Sequence, residues 1–173
     1  MRIVFYKQVV HVIAAVFLIL LMLPALASAG DKAGWSVAID PRNRAFLKYI
    51  PSDNGPRLLV LGCLRDADSF VVLSEHAPGA VPGDVTLTLM LVNGAAQYAV
   101  QGKSDPNGVG VGQRGFVSEF DVGAKERGDL RRKVLAVLEG KDPIVLTVGS
   151  WSRELPVSGL AEALGRFKAI CFE

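Results

Sequence analysis

The sequence predicts a mainly β, antiparallel domain: a β-sandwich or flattened barrel with one short internal helix and a C-terminal helix. Three observations carry this. Residues 84–102 alternate at period two around an Asn93-Gly94 pair, the strongest short hairpin signal. Short, almost wholly apolar runs bounded by turn residues recur on either side of it. Apolar residues at helical spacing are confined to two stretches near the C-terminus.

The first segment is read as an export signal rather than part of the domain. Arg2 and Lys7 make a positive start, and Val12 to Leu23 is uninterruptedly apolar. Pro24 breaks the run, and Ala27-Ser28-Ala29 places small residues where a signal peptidase reads. The division is therefore 1–29 as signal peptide and 30–173 as a single β-rich domain. The run is short for a span of roughly twenty residues, so the membrane is met only through this segment, and only if it stays uncleaved. The chain has 19 Lys and Arg against 17 Asp and Glu; Arg2 and Lys7 account for the excess, so the mature chain carries no net charge. That balance offers nucleic acid no clustered basic surplus.

Within the domain, Trp35 to Ile39 and Ala45 to Ile50 read as strands joined by Asp40-Pro41-Arg42-Asn43. Leu58 to Leu61 and Phe70 to Leu73 are apolar on both faces, which predicts strands buried on both sides, separated by Arg65-Asp66-Ala67-Asp68. A two-residue turn at Asn93-Gly94 pairs Val92 with Ala95. That register sets Leu91 opposite Ala96 and Leu89 opposite Tyr98, with Tyr98 inward and Gln97 outward. Arg114 to Val122, Ile144 to Val148 and Trp151 to Val157 read as further strands, and Pro78-Gly79 and Pro82-Gly83 as loops.

Asp129 reads as the cap of a helix carrying Leu130, Val134, Val137 and Leu138 and ended by Gly140. Ser158 reads as the cap of the second helix, which runs to Cys171. Leu160, Leu164, Phe167 and Cys171 form its inward stripe. Cys63 closes an apolar strand, and it and Cys171 are the only cysteines. Two cysteines in an exported chain predict one structural disulfide, Cys63–Cys171, and a periplasmic or secreted location. On the loop-entropy model such a bridge stabilises by about 4–5 kcal/mol.

Catalytic and metal-binding patterns are sparse. His76 is the one histidine of the mature chain, in a Pro- and Gly-rich loop. A hydrolytic site would have to use it with nearby acids, yet Gly149-Ser150-Trp151-Ser152 lacks the glycine of a nucleophile elbow. One histidine and two distant cysteines do not supply the ligands of a zinc site. Asp66 and Asp68 read as turn formers, as does Asp105-Pro106-Asn107-Gly108, which lacks the later acid of a calcium loop. Gly108 to Gly112 has Gly-x-Gly spacing but no helix opening from it. Arg131-Arg132-Lys133 reads as a solvated helix face. Trp35 and Trp151 are candidates for lining a groove, against the plainer reading of core or rim packing. No cofactor is expected.

The C-terminal third ends in a strand followed by Pro156-Val157-Ser158-Gly159-Leu160-Ala161-Glu162-Ala163-Leu164. This ending resembles small exported bacterial proteins of the invasion-associated locus B type. The layout of Trp35, Cys63, Gly159-Leu160 and Cys171 is similar to that of VasI-type accessory proteins of type VI secretion. The chain departs from the first in having only two cysteines. The resemblance implies a non-enzymatic periplasmic accessory protein whose partner is another envelope protein. It transfers no binding residue.

Three function classes follow: an envelope interaction protein, a small-ligand or lipid binder using the sandwich interior or a tryptophan groove, and a hydrolase built on His76. A filled core favours the first, a closed apolar cavity the second, and loss of an activity on His76→Ala the third. N-terminal sequencing of the exported protein should return Gly30 as the first residue; a product that keeps residues 1–29 would mean an uncleaved anchor.

Overall fold

The computed structural model describes residues 32–65, 68–75, 86–105, 115–122 and 124–172. The segment read as an export signal, Asp66, His76, both Pro-Gly loops and the run from Gly108 to Gly112 lie outside them. The strands are β1 (Gly34–Asp40), β2 (Arg44–Ile50), β3 (Leu59–Leu64), β4 (Ser69–Ser74), β5 (Thr86–Asn93), β6 (Ala96–Asp105) and β7 (Gly115–Asp121). Helix α1 (Ala124–Leu138) follows, then β8 (Ile144–Val148), β9 (Trp151–Leu155) and helix α2 (Leu160–Cys171).

Local chemistry makes each hairpin. Between β1 and β2 the Asp40 carboxylate accepts from the Arg42 amide at 2.7 Å, and its carbonyl accepts from the Asn43 amide at 3.1 Å. Asn43 sits at φ 56, a region asparagine tolerates better than most residues. Asp68 closes the β3–β4 turn at φ 48, and its carbonyl accepts from the Val122 amide. It is a turn former, as its position in the sequence implied.

The nine strands of the described residues join one antiparallel sheet in the order β1-β2-β3-β4-β7-β6-β5-β8-β9. β3 and β4 lie inside that order, and Val60, Leu61, Val71 and Val72 are buried, so both faces of these two strands are covered as their apolar runs predicted. The sheet is not closed into a barrel. A side-chain bond nevertheless links its two ends: the Trp35 indole N–H donates to the Pro156 carbonyl, just past β9, at 2.5 Å. The mainly β, antiparallel class with a C-terminal helix is what the chain forms.

The β5–β6 hairpin corrects the expected register. The turn residues are Gly94 and Ala95, not Asn93 and Gly94. Gly94 takes φ 56 at the first turn position, as a type II′ turn requires. Leu91 pairs with Tyr98 and Leu89 with Val100. The faces are unchanged, because the turn has slid by one residue on both strands: Tyr98 is buried and Gln97 exposed. Asn93 is kept in the ladder by a tertiary bond. Its buried amide donates to the Asp142 carbonyl at 2.7 Å, and its side chain fills the space a Cβ on Gly140 would need.

Both helices also begin differently from expectation. α1 starts five residues before Asp129, which is not its cap. Its carboxylate instead holds Arg132 and Lys133, three and four residues on, each at 2.8 Å. Those bonds, Lys133 first, hold the Asp129 carboxyl below its usual range. At the start of α2 the cap position is Gly159 at φ 79, with no side-chain cap bond. The reversal from Pro156-Val157 into the helix needs that positive φ, which glycine takes without strain and Ser158 would not.

Helix faces and sheet close one core. Leu47, Leu61, Val72, Leu91 and Leu146 from the sheet meet Val134 and Val137 of α1 and Phe167 of α2 in a single buried cluster. The expected α2 stripe is buried, with Ala163 added to it. Cys63 and Cys171 are bonded, with Cα atoms 5.7 Å apart across 108 positions of sequence. Replacing both with serine should lower stability by about 2–5 kcal/mol in denaturant titration and leave the sheet intact. Hydrogen exchange should then show α2 amides losing protection first; an unchanged α2 would mean the bridge does not hold the helix.

Candidate functional site

The sheet has one weak seam, and it builds the candidate site. β6 pairs with β5 along eight positions, from Ala96 to Lys103, and β7 with β4 along six. Among the described residues, β6 and β7 pair with each other through Lys103, Ser104 and Asp105 alone. Gly102 lies where the ladder gives out. A Cβ there would collide with the Val117 carbonyl and the Phe116 ring, so only glycine admits the approach. One step further, the Ser118 hydroxyl donates to the Gln101 carbonyl at 2.6 Å. A side chain has replaced the next backbone bond, and the strands part.

The opening is a cleft of about 460 Å³ walled by β6, by β7 with Val122, and by α1. Val100, Phe120 and Leu130 give it apolar surface, and Glu119, Asp121 and Glu126 give it carboxylates. Lys133 also lines it, with its ammonium committed to Asp129. Tyr98 lines it too and is only 6% exposed, and burial pushes its phenol up to about 12. Nearby, Arg127 is held by Asp68, which ties α1 to the β3–β4 turn.

Two other clefts are open to the surface. One, of about 470 Å³, lies between the end of α1 and α2, with Leu138, Leu160 and Leu164 in its lining. The Lys168 ammonium and the Glu139 carboxylate, 2.6 Å apart, join the two helices there. The other, of about 250 Å³, lies between β1 and α2 and contains Trp35, Glu162 and Arg166.

The two tryptophans do not share a groove. Trp35 lines the smallest of these clefts and packs on Tyr49, with ring centroids 5.1 Å apart. Trp151 is a buried core residue at the far end of β9 from Pro156, with the Arg153 guanidinium 5.9 Å from its ring. The basic run splits its tasks. Arg132 and Lys133 serve Asp129, while Arg131 donates to the Phe172 carbonyl at 3.1 Å. Among the described residues no group of three or more His, Cys, Asp and Glu is placed to hold a metal ion, and no helix is long and apolar enough to cross a membrane.

Sequence reasoning placed Tyr98 inward but missed the cleft, because the length of the β6–β7 ladder is a property of two distant segments. Gly102 inside a strand was the available sign, since such a glycine marks close backbone approach. No family model, curated protein or solved structure matches the chain.

The buried Tyr98 phenol carries a pH dependence whose sign is fixed. It ionises near 10 in the unfolded chain and near 12 in the fold. Its contribution is complete below pH 10 and is lost as pH rises through that window, because there the unfolded chain sheds a proton the fold retains. Relative to Tyr98→Phe, the wild type should lose about 2 kcal/mol of stability between those pH values in urea unfolding; a constant difference would contradict the burial argument.

Proposed function

We propose that this is an exported, non-catalytic accessory protein of the cell envelope that acts by binding another protein. The observation that carries the reading is the fate of the cysteines. Both are spent in a buried structural bridge, in a chain whose first residues read as an export signal. Such bridges persist in oxidising compartments, which agrees with a periplasmic or secreted protein. The side chains of sheet and helices close on one another in a single buried cluster, which favours interaction at the surface over enclosure of a ligand. The exported accessory proteins that the C-terminal third resembles are of the same kind.

One observation favours a second reading, the binding of a small apolar or lipid ligand. The cleft between α1 and α2 has the volume of a ligand site and leucines in its lining. It is open rather than enclosed, which leaves a small ligand much of its surface in water.

The test is photo-crosslinking in living cells. A benzophenone amino acid is placed singly at exposed positions in each cleft, such as Asp121, Ala161 and Glu162. The expected result is a periplasmic or secreted protein that yields an adduct with one envelope protein from at least one position. Cytoplasmic retention, or absence of a protein adduct from every position, would overturn the reading.

A further inference from the structure

A strand edge offers amides and carbonyls at a fixed repeat to whatever lies beside it. Beside the cleft, β6 from Tyr98 to Gln101 and β7 from Ser118 to Asp121 each have a ladder partner on one side only among the described residues. On the facing sides, the Ser118 hydroxyl donates to the Gln101 carbonyl. Backbone groups inside a fold are almost always paired, and two facing open edges are matched by a third extended chain rather than by a compact ligand.

Tyr98 lines the same cleft and is 6% exposed. Its hydroxyl is a donor, and the carbonyl of a peptide laid in the cleft would accept from it.

Charge states what kind of chain fits. Glu119, Asp121 and Glu126 line the opening, and the Lys133 cation among them is already matched by Asp129. Val100 and Phe120 face the same space. An extended segment shows alternate side chains to opposite sides, so it can turn basic residues to the carboxylates and apolar ones to the floor.

We infer that the cleft between β6 and β7 is a strand-insertion site for an extended, basic peptide segment of a partner protein. The inference rests on the binding function proposed above and names the place and the partner's chemistry.

The test uses the mature, oxidised, isotope-labelled protein and synthetic probes of about six residues. One alternates lysine and valine, one glutamate and valine, and one is the lysine probe with alternate amides N-methylated. The lysine probe should shift the amide resonances of both open edges, Tyr98–Gln101 and Ser118–Asp121, and slow their hydrogen exchange. The glutamate and N-methylated probes should not. The double variant Asp121→Lys, Glu126→Lys, both positions being exposed, should weaken the lysine probe by about tenfold without changing the thermal midpoint by more than a few degrees. Shifts elsewhere, equal binding of the lysine and glutamate probes, indifference to the double variant, or no binding up to about 1 mM would overturn the site. If the double variant keeps its adduct with an envelope protein in cells, the strand site fails while the binding function stands; if no position yields an adduct in the wild type, the binding function itself fails.

Discussion

The end of helix α2 is fastened from three directions, and the rest of the fold is arranged around that point. The bond from Cys171 to Cys63 joins it to β3. Arg65, just past β3, donates to the Ile170 carbonyl at 3.0 Å. Arg131 of α1 donates to the Phe172 carbonyl at 3.1 Å. The last carbonyls of a helix have no partner within it, and the negative end of the helix dipole favours cations, so both arginines answer needs that any helix terminus has. Phe172 then meets Phe167 edge-on, with centroids 5.9 Å apart. Without this fastening a short terminal helix would be the first element to fray. With it, α2 becomes a wall of the core, and β1 and β2 are packed from that side.

The same anchoring leaves the opposite part of the sheet to carry the irregularity. β3 and β4, central and covered on both faces, fix the position of β7. The β5–β6 hairpin is fixed from the other side by β8, through Leu91 against Leu146 and Leu89 against Val148. Asn93 reinforces that attachment through Asp142. β6 and β7 therefore belong to differently anchored halves and, among the described residues, share a short seam. The cleft is the consequence of that mismatch, and α1 spans it with Leu130 while Arg127 reaches Asp68 on the far side. A binding surface placed at such a seam has a rigid frame on both flanks, which keeps its strand edges in place before a partner arrives.

What could be read from the chain divides along the same physical line. Period-two alternation and turn residues act between neighbours, so the strands, the inward placement of Tyr98 and the buried stripe of α2 were legible. The stripe also pointed Cys171 toward the strand ended by Cys63. Errors came where a side chain had a distant partner. Asn93 looked like a turn residue because Asn-Gly pairs favour turns, but its amide is needed by Asp142. Asp129 looked like a cap because its binding of Lys133 and Arg132 is invisible until the helix is known to start earlier. Arg65 read as part of a turn between strands and Arg131 as part of a solvated helix face, and nothing local marks them as partners of α2. The cleft was the least legible part, since it depends on where two ladders stop.

The central claim is that a bridge between Cys63 and Cys171 holds α2 on the sheet. Its most direct test is mass-spectrometric peptide mapping of the protein recovered from its native compartment, with free thiols alkylated before digestion. The account predicts one disulfide-linked pair of peptides carrying Cys63 and Cys171, and no alkylated cysteine. Recovery of both cysteines in alkylated form would contradict it, and with it the docking of the helix and the reading of the compartment.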